Sequence, residues 1–261
     1  QDVYVVRVTW IESVAAGSMA KISATYSSYT FISTESANSL FYTWVDFDAA
    51  DPTPAAFRSV PDLDSEGGFG SIQQFAVDPA SCTVFFPHES GLWSAGLTAG
   101  SLVQLSTTPV SSSVLAKNGT LFYVLNTELH FGAIAPDTGV FTEDSASPAT
   151  LPAAGATTLA CNPIDNHLYI FQQGGTLLRS SDPADLITSS TTFSLMGLPD
   201  LKLVGGWSAF TIGPNGRLFL GGVSVGDGTS KTVAYSDNGG AGWFVVDTGV
   251  AGTAGANLET A

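Results

Sequence analysis

The stretch Arg217-Leu-Phe-Leu-Gly-Gly222, followed after a polar turn by Thr232-Val-Ala-Tyr-Ser-Asp-Asn-Gly-Gly-Ala-Gly-Trp-Phe-Val-Val246, decides the fold. Its apolar runs flank connections rich in Gly, Asp and Asn. That alternation marks consecutive antiparallel strands. The turn Ser236-Asp237-Asn238-Gly239-Gly240-Ala241-Gly242-Trp243 carries the most detail. Asn238 and Gly239 tolerate positive φ, so they can close a tight hairpin. An Asn there can also bond its own backbone and hold the loop. Trp243 is placed to fold its ring over the loop. An ordinary Gly-rich hairpin is the plainer alternative.

One short pattern recurs along the chain: a polar turn, a small or polar residue, then aliphatic, aromatic and apolar residues. It occurs at Leu40-Phe41-Tyr42, Val84-Phe85-Phe86, Leu121-Phe122-Tyr123, Leu168-Tyr169-Ile170 and Leu218-Phe219-Leu220. Anchored on Phe41, Phe85, Phe122, Tyr169 and Phe219, the spacings are 44, 37, 47 and 50 residues. Another apolar run precedes each anchor by about ten residues, so each unit opens strand, turn, strand. In three units the turn holds Pro: Asp78-Pro79, Asn162-Pro163 and Gly213-Pro214. One or two further short strands follow each anchor, such as Gly91–Ser94 and Leu102–Leu105, or Leu129–Phe131 and Val140–Phe141. No helical period is sustained; Ser181–Ile187 has room for one helical turn at most.

A period near 44 with four short strands per unit is the signature of a propeller. Each unit is a small twisted sheet whose dry interior is completed by its neighbours. The reading is therefore all-β, with residues 1–261 forming a single β-propeller domain. Six blades are preferred, because the chain length holds about six such periods; five is the alternative. The strands expected at Asp2–Trp10 and Ala20–Tyr26, with the tail Ala256–Thr260, would build the sixth blade. The ring would then close by pairing of the N- and C-terminal strands. A two-sheet sandwich is the competing architecture and does not predict the regular repeat.

The hairpin Ser236–Trp243 resembles the Asp box (the BNR repeat), Ser-x-Asp-x-Gly-x-Thr-Trp. Ser236, Gly240 and Trp243 match, while Asn238 replaces the Asp and Gly242 the Thr. In sialidases and sortilin-type receptors the box joins the third and fourth strands of a propeller blade. The resemblance implies the same place here. Ser180-Ser181-Asp182-Pro183 falls where a second box would lie, after the third strand of the Tyr169 unit. It lacks the Gly and Trp and reads as a degenerate copy.

Composition bounds the function. The chain has 261 residues, 44% of them hydrophobic but only 12% charged, and a net charge of −15. The core is ample and the polar surface comes from Ser, Thr, Gly and Asn. So acidic a surface repels phosphate backbones and anionic lipid, so no nucleic-acid partner is expected. No apolar run approaches the roughly 18 residues of a membrane span, so no membrane insertion is expected. The chain opens at Gln1 without Met, as a processed, secreted protein would; a trimmed piece is the alternative. Cys82 and Cys161 read as two small buried side chains rather than a disulfide framework. Asn118-Gly119-Thr120 is an N-glycosylation acceptor if the chain passes through a eukaryotic secretory route.

Catalytic residues do not assemble in the sequence. Resemblance to sialidases implies three Arg for the substrate carboxylate, a Tyr–Glu pair and an acid/base Asp. The chain has four Arg, namely Arg7, Arg58, Arg179 and Arg217. None lies in the expected motif. His88, His130 and His167 read as structural. Asp62-Leu-Asp64-Ser-Glu66-Gly67 opens like a calcium loop, so Asp62, Asp64 and Glu66 are candidate calcium ligands. The twelfth position is Gln73 rather than Glu, and a solvated acidic loop is the alternative. Trp93 and Trp207 lie near turns and are the candidate binding aromatics. The expected role is that of a secreted, non-catalytic recognition or structural module of an extracellular surface or assembly. Its partners would be glycan, protein or further copies of itself. A sialidase-like glycoside hydrolase is the alternative.

Overall fold

The computed structural model describes residues 19–24, 29–34, 40–44, 58–59, 75–78, 81–88, 90–96, 102–135, 138–152, 156–172, 175–201, 203–213, 215–224 and 230–251. They form five antiparallel sheets, each built of strands consecutive in the chain. The first sheet holds β1 (Met19–Ala24), β2 (Tyr29–Thr34), β3 (Leu40–Trp44) and β4 (Arg58–Ser59). The second holds β5 (Ala76–Asp78), β6 (Thr83–His88), β7 (Gly91–Gly96) and β8 (Val103–Ser106). In the third, β9 (Ser112–Leu115), β10 (Thr120–Leu125), β11 (Glu128–Ile134) and β12 (Phe141–Glu143) run in order, and β13 (Ala149–Thr150) also pairs with β11. The fourth holds β14 (Ala156–Cys161), β15 (His167–Gln172), β16 (Thr176–Pro183) and β17 (Phe193–Met196). The fifth holds β18 (Leu203–Ile212), β19 (Leu218–Ser224), β20 (Ser230–Ser236) and β21 (Phe244–Ala251). The one helical turn among the described residues is the 3-10 turn Ala184–Leu186.

The recurring apolar triplet has a simple cause. It forms the second strand of the last four sheets, and in the second, third and fourth sheets that strand is buried on both faces. Alternate side chains of a strand point to opposite faces. In β15, Leu168 and Ile170 join the core shared with the third sheet, whereas Tyr169 and Phe171 join the core shared with the fifth. In β10, Leu121 and Tyr123 face the second sheet, and Phe122 and Val124 face the fourth. A strand buried on both sides must be apolar throughout rather than alternating. Each anchor aromatic points at the sheet that follows it in the chain: Phe85 at the third, Phe122 at the fourth, Tyr169 at the fifth.

The first strands β5, β9, β14 and β18 lie beside one another in sequence order, so successive sheets meet at their leading edges. Ser112 Oγ, fully buried, accepts the Leu159 N–H at 2.9 Å and ties β9 to β14. Asn162 Nδ2 donates to Gly216 O at 3.2 Å and ties the first turns of the fourth and fifth sheets.

The first sheet departs from the expected unit. Phe41 lies on its third strand, not its second, because β1 pairs ahead of β2 with Ile22 opposite Ile32. The strand expected at Ala20–Tyr26 is thus part of the first sheet rather than of a sixth. Ala24 and Tyr29 are close in sequence, and pairing across so short a connection orders less chain than reaching the far terminus. The strands expected at Asp2–Trp10 and the tail Ala256–Thr260 lie outside the described residues.

Candidate functional site

The loop between β20 and β21 is organised by one buried hydroxyl. Ser236 is fully buried. Its Oγ donates to Asn238 Oδ1 at 2.8 Å and accepts the Gly240 N–H at 2.9 Å. Asn238 Oδ1 also accepts the Gly242 N–H at 2.9 Å. Gly239 and Gly240 adopt φ of 67° and 91°, where a β-carbon would be strained. Trp243 Nε1 donates to Gly197 O at 2.8 Å and pins the loop to the segment just after β17. The loop joins the third and fourth strands of its sheet. The fourth sheet repeats part of the device: Ser180 Oγ, also buried, donates to Asp182 O two residues on, at 2.6 Å, within β16.

Beside this loop a planar stack crosses three strands. Arg217, just before β19, donates from Nε and Nη2 to the two carboxylate oxygens of Asp237 at 2.5 and 3.1 Å. This fork holds the guanidinium flat, and its hydrogen bonds raise the Arg217 pKa above its ordinary value. The guanidinium carbon sits 4.6 Å from the centroid of the Tyr235 ring. Tyr235 stacks in turn on Phe244, with centroids 5.2 Å apart and planes 22° from parallel. Phe244 opens the outermost strand of its sheet and is 59% exposed.

Two further polar clusters lie on the third and fourth sheets. In the fourth sheet Asp165 Oδ2 accepts Arg179 Nη2 at 3.2 Å and Tyr169 Oη at 3.3 Å. Burial, then the Asp165 charge, pushes the Tyr169 phenol up to about 12. In the third sheet His130 Nδ1 lies 2.6 Å from Glu143 Oε1, and its ring stacks on Tyr123 at 5.1 Å. The other nitrogen, Nε2, is buried without a hydrogen bond, 3.5 Å from Glu128 Oε2. Ser147 Oγ donates to the same Glu143 oxygen at 2.7 Å. Burial and then Glu143 push the Tyr123 phenol up to about 12.

The remaining candidate residues scatter. Trp207 is buried in the core between the fourth and fifth sheets, its Nε1 donating to Pro199 O at 3.2 Å. Its ring faces apolar side chains rather than solvent. Trp93 is half-buried on β7, with Nε1 donating to Ser90 Oγ at 3.0 Å. Asn118 is exposed in the β9–β10 turn, where its Oδ1 accepts the Thr120 N–H at 3.2 Å. Asp62, Asp64 and Glu66 lie outside the described residues. Among the described residues no three His, Cys, Asp or Glu side chains gather as a metal site. Cys82 and Cys161 are half-buried rather than buried, and no disulfide joins them. Burial pushes the Cys161 thiol up to about 12. The sequence reading passed over the Arg217–Tyr235–Phe244 stack. The signal for it was hairpin register: pairing Leu218 with Ser236 sets Arg217 beside Asp237, and pairing Tyr235 with Phe244 sets ring beside ring.

No protein-family model and no curated protein matches the sequence. Solved structures do match. A putative 6-phosphogluconolactonase from Bacteroides uniformis aligns over 85% of this chain and 69% of its own, at 12% identity and a TM-score of 0.55. An ancestral GH74 enzyme aligns over 90% of this chain and 32% of its own, at 10% identity and a TM-score of 0.56. The WD40 domain of Neurospora crassa Pan2 aligns over 88% and 66%, at 10% identity and a TM-score of 0.50. Identities this low carry the fold alone: an all-β chain of mostly four-stranded antiparallel sheets, similar to β-propeller proteins.

Proposed function

We propose that this chain is a non-catalytic β-propeller that works outside the cell as a recognition or structural module of an extracellular surface or assembly. In this reading Ser236–Trp243 is an Asp-box hairpin, and the ring closes by pairing of the terminal strands. Six blades remain the preferred count and five the alternative. The partner is a glycan or a protein, including further copies of the chain.

The observation that carries the reading is where apolar surface is left open. Val103 on β8, Leu195 on β17, and Phe244, Val245 and Val246 on β21 are 46%, 72%, 59%, 44% and 44% exposed. These five lie on the outermost strands of their sheets, a rim suited to contact with a partner, while Val140, Ile164, Leu186, Leu201 and Val204 are exposed in connections and on β18. The charged side chains point the other way. Arg179 pairs with Asp165 and Arg217 with Asp237, each across strands of its own sheet. Both cations brace hairpins instead of converging on a substrate carboxylate.

Fluorogenic sialosides and neutral glycosides test the reading against the hydrolase alternative. The expected result is no turnover above buffer. Turnover abolished by Glu143→Gln or Glu128→Gln would replace the recognition reading with a catalytic one.

A further inference from the structure

We propose that the exposed face of Phe244 is a stacking platform for the pyranose rings of a neutral polysaccharide. The inference rests on the recognition reading and names its ligand class and its site.

The platform is built and held. One face of the Phe244 ring is covered by Tyr235, Tyr235 by the Arg217 guanidinium, and that guanidinium is locked in plane by Asp237. A ring fixed from behind loses little freedom when a ligand stacks on its front, so less binding energy is lost to ordering. The front is open, as the 59% exposure of Phe244 records. Among the described residues the strand bearing it is the last of its sheet, with no strand paired beyond it.

That exposure does not depend on a missing neighbour. By register, Phe244 occupies the position that Ser194 holds in the fourth sheet, opposite Tyr235 and Arg179 respectively. The face carrying Ser194 is packed by the fifth sheet, and yet Ser194 is exposed. This position therefore stays at the outer rim even where sheets are stacked. The fifth sheet differs in placing an aromatic ring there.

The ligand class follows from charge and shape. The net charge of −15 disfavours polyanions. Behind the platform Arg217 and Asp237 neutralise each other, leaving a flat apolar ring at the front. The axial C–H face of a pyranose presents weakly positive hydrogens, which suit the negative face of an aromatic ring.

Native gels containing hydroxyethylcellulose, laminarin, galactomannan or dextran test this, with polygalacturonate as the acidic control. The wild-type chain should be retarded by at least one neutral polymer and not by polygalacturonate. Phe244→Ala should weaken that retardation about tenfold or more, and Phe244→Trp should keep it. Phe244 is an exposed side chain, and circular dichroism with thermal melting checks that both variants fold. Retardation unchanged in Phe244→Ala would overturn the platform while leaving glycan recognition elsewhere on the molecule. No retardation in any neutral polymer, or equal retardation in polygalacturonate, would overturn the ligand class. The turnover test of the recognition reading is independent of all three outcomes.

Discussion

At the scale of single residues, the polar groups of this protein mostly serve the hairpins they sit on. Arg179, Arg217 and His130 each meet a carboxylate on a neighbouring strand or turn of the same sheet. Two phenols, Tyr123 and Tyr169, are buried beside acids and hold their protons up to about 12. This has a sign. In the unfolded chain a tyrosine releases its proton near pH 10. Between roughly pH 10 and 12 the folded state therefore binds more protons than the unfolded one, and stability falls as pH rises. Below about pH 10 the contribution is fully present. Urea midpoints measured from pH 9 to pH 11.5 should drop, and the drop should be shallower in Tyr169→Phe. An identical profile in that variant would show that the Tyr169 phenol does not titrate as described. These residue-level partnerships were the least legible part of the sequence. Arg217 and Asp237 are twenty positions apart in the chain, and nothing local marks them as a pair. Trp207 was misleading for a related reason: a Trp after two glycines near a turn looks exposed, but bulges in β18 turn its ring into the core.

At the scale of elements, the hairpins were readable because their turn chemistry is local. The strand–turn–strand openings at β5–β6, β14–β15 and β18–β19 follow the Asp-Pro, Asn-Pro and Gly-Pro signals. The Ser236–Trp243 loop was readable in part: the Asn238 side chain holds a loop N–H as expected, but the positive φ falls on Gly239 and Gly240 rather than on Asn238 and Gly239. Its central bond makes a stability prediction. Ser236→Ala removes the acceptor of the Gly240 N–H in a buried position. Leaving that donor without a partner should cost about 1–3 kcal/mol. Chemical denaturation measures it directly, and a change under about 0.5 kcal/mol, the usual size for unimportant surface positions, would mean the hydroxyl does not hold the loop. What the elements did not reveal is how the first sheet begins. β1 looked like a free N-terminal strand because its partner, β2, carries no turn signal as strong as those downstream.

At the scale of the whole molecule, the repeat in the sequence is a repeat in the packing. Every anchor aromatic from Phe85 to Tyr169 points into the sheet that comes next, which is why aliphatic, aromatic and apolar residues recur together. Phe219, the last anchor, is only half-buried. The rule established by the other sheets assigns it a following sheet as well, and this is the strongest structural ground for proposing a closed ring. Blade count was harder to read, because a period of about 44 residues leaves the strands contributed by the termini unassigned. The period says how one sheet meets the next; it does not say how the last meets the first.

A crystal structure of the 261-residue chain tests this arrangement most directly. The account predicts β5, β9, β14 and β18 side by side around one axis, each sheet radiating outward, with Phe219 covered by a further sheet or terminal strand. The same strands merged into two sheets stacked face to face, with the anchor aromatics at unrelated positions, would contradict it.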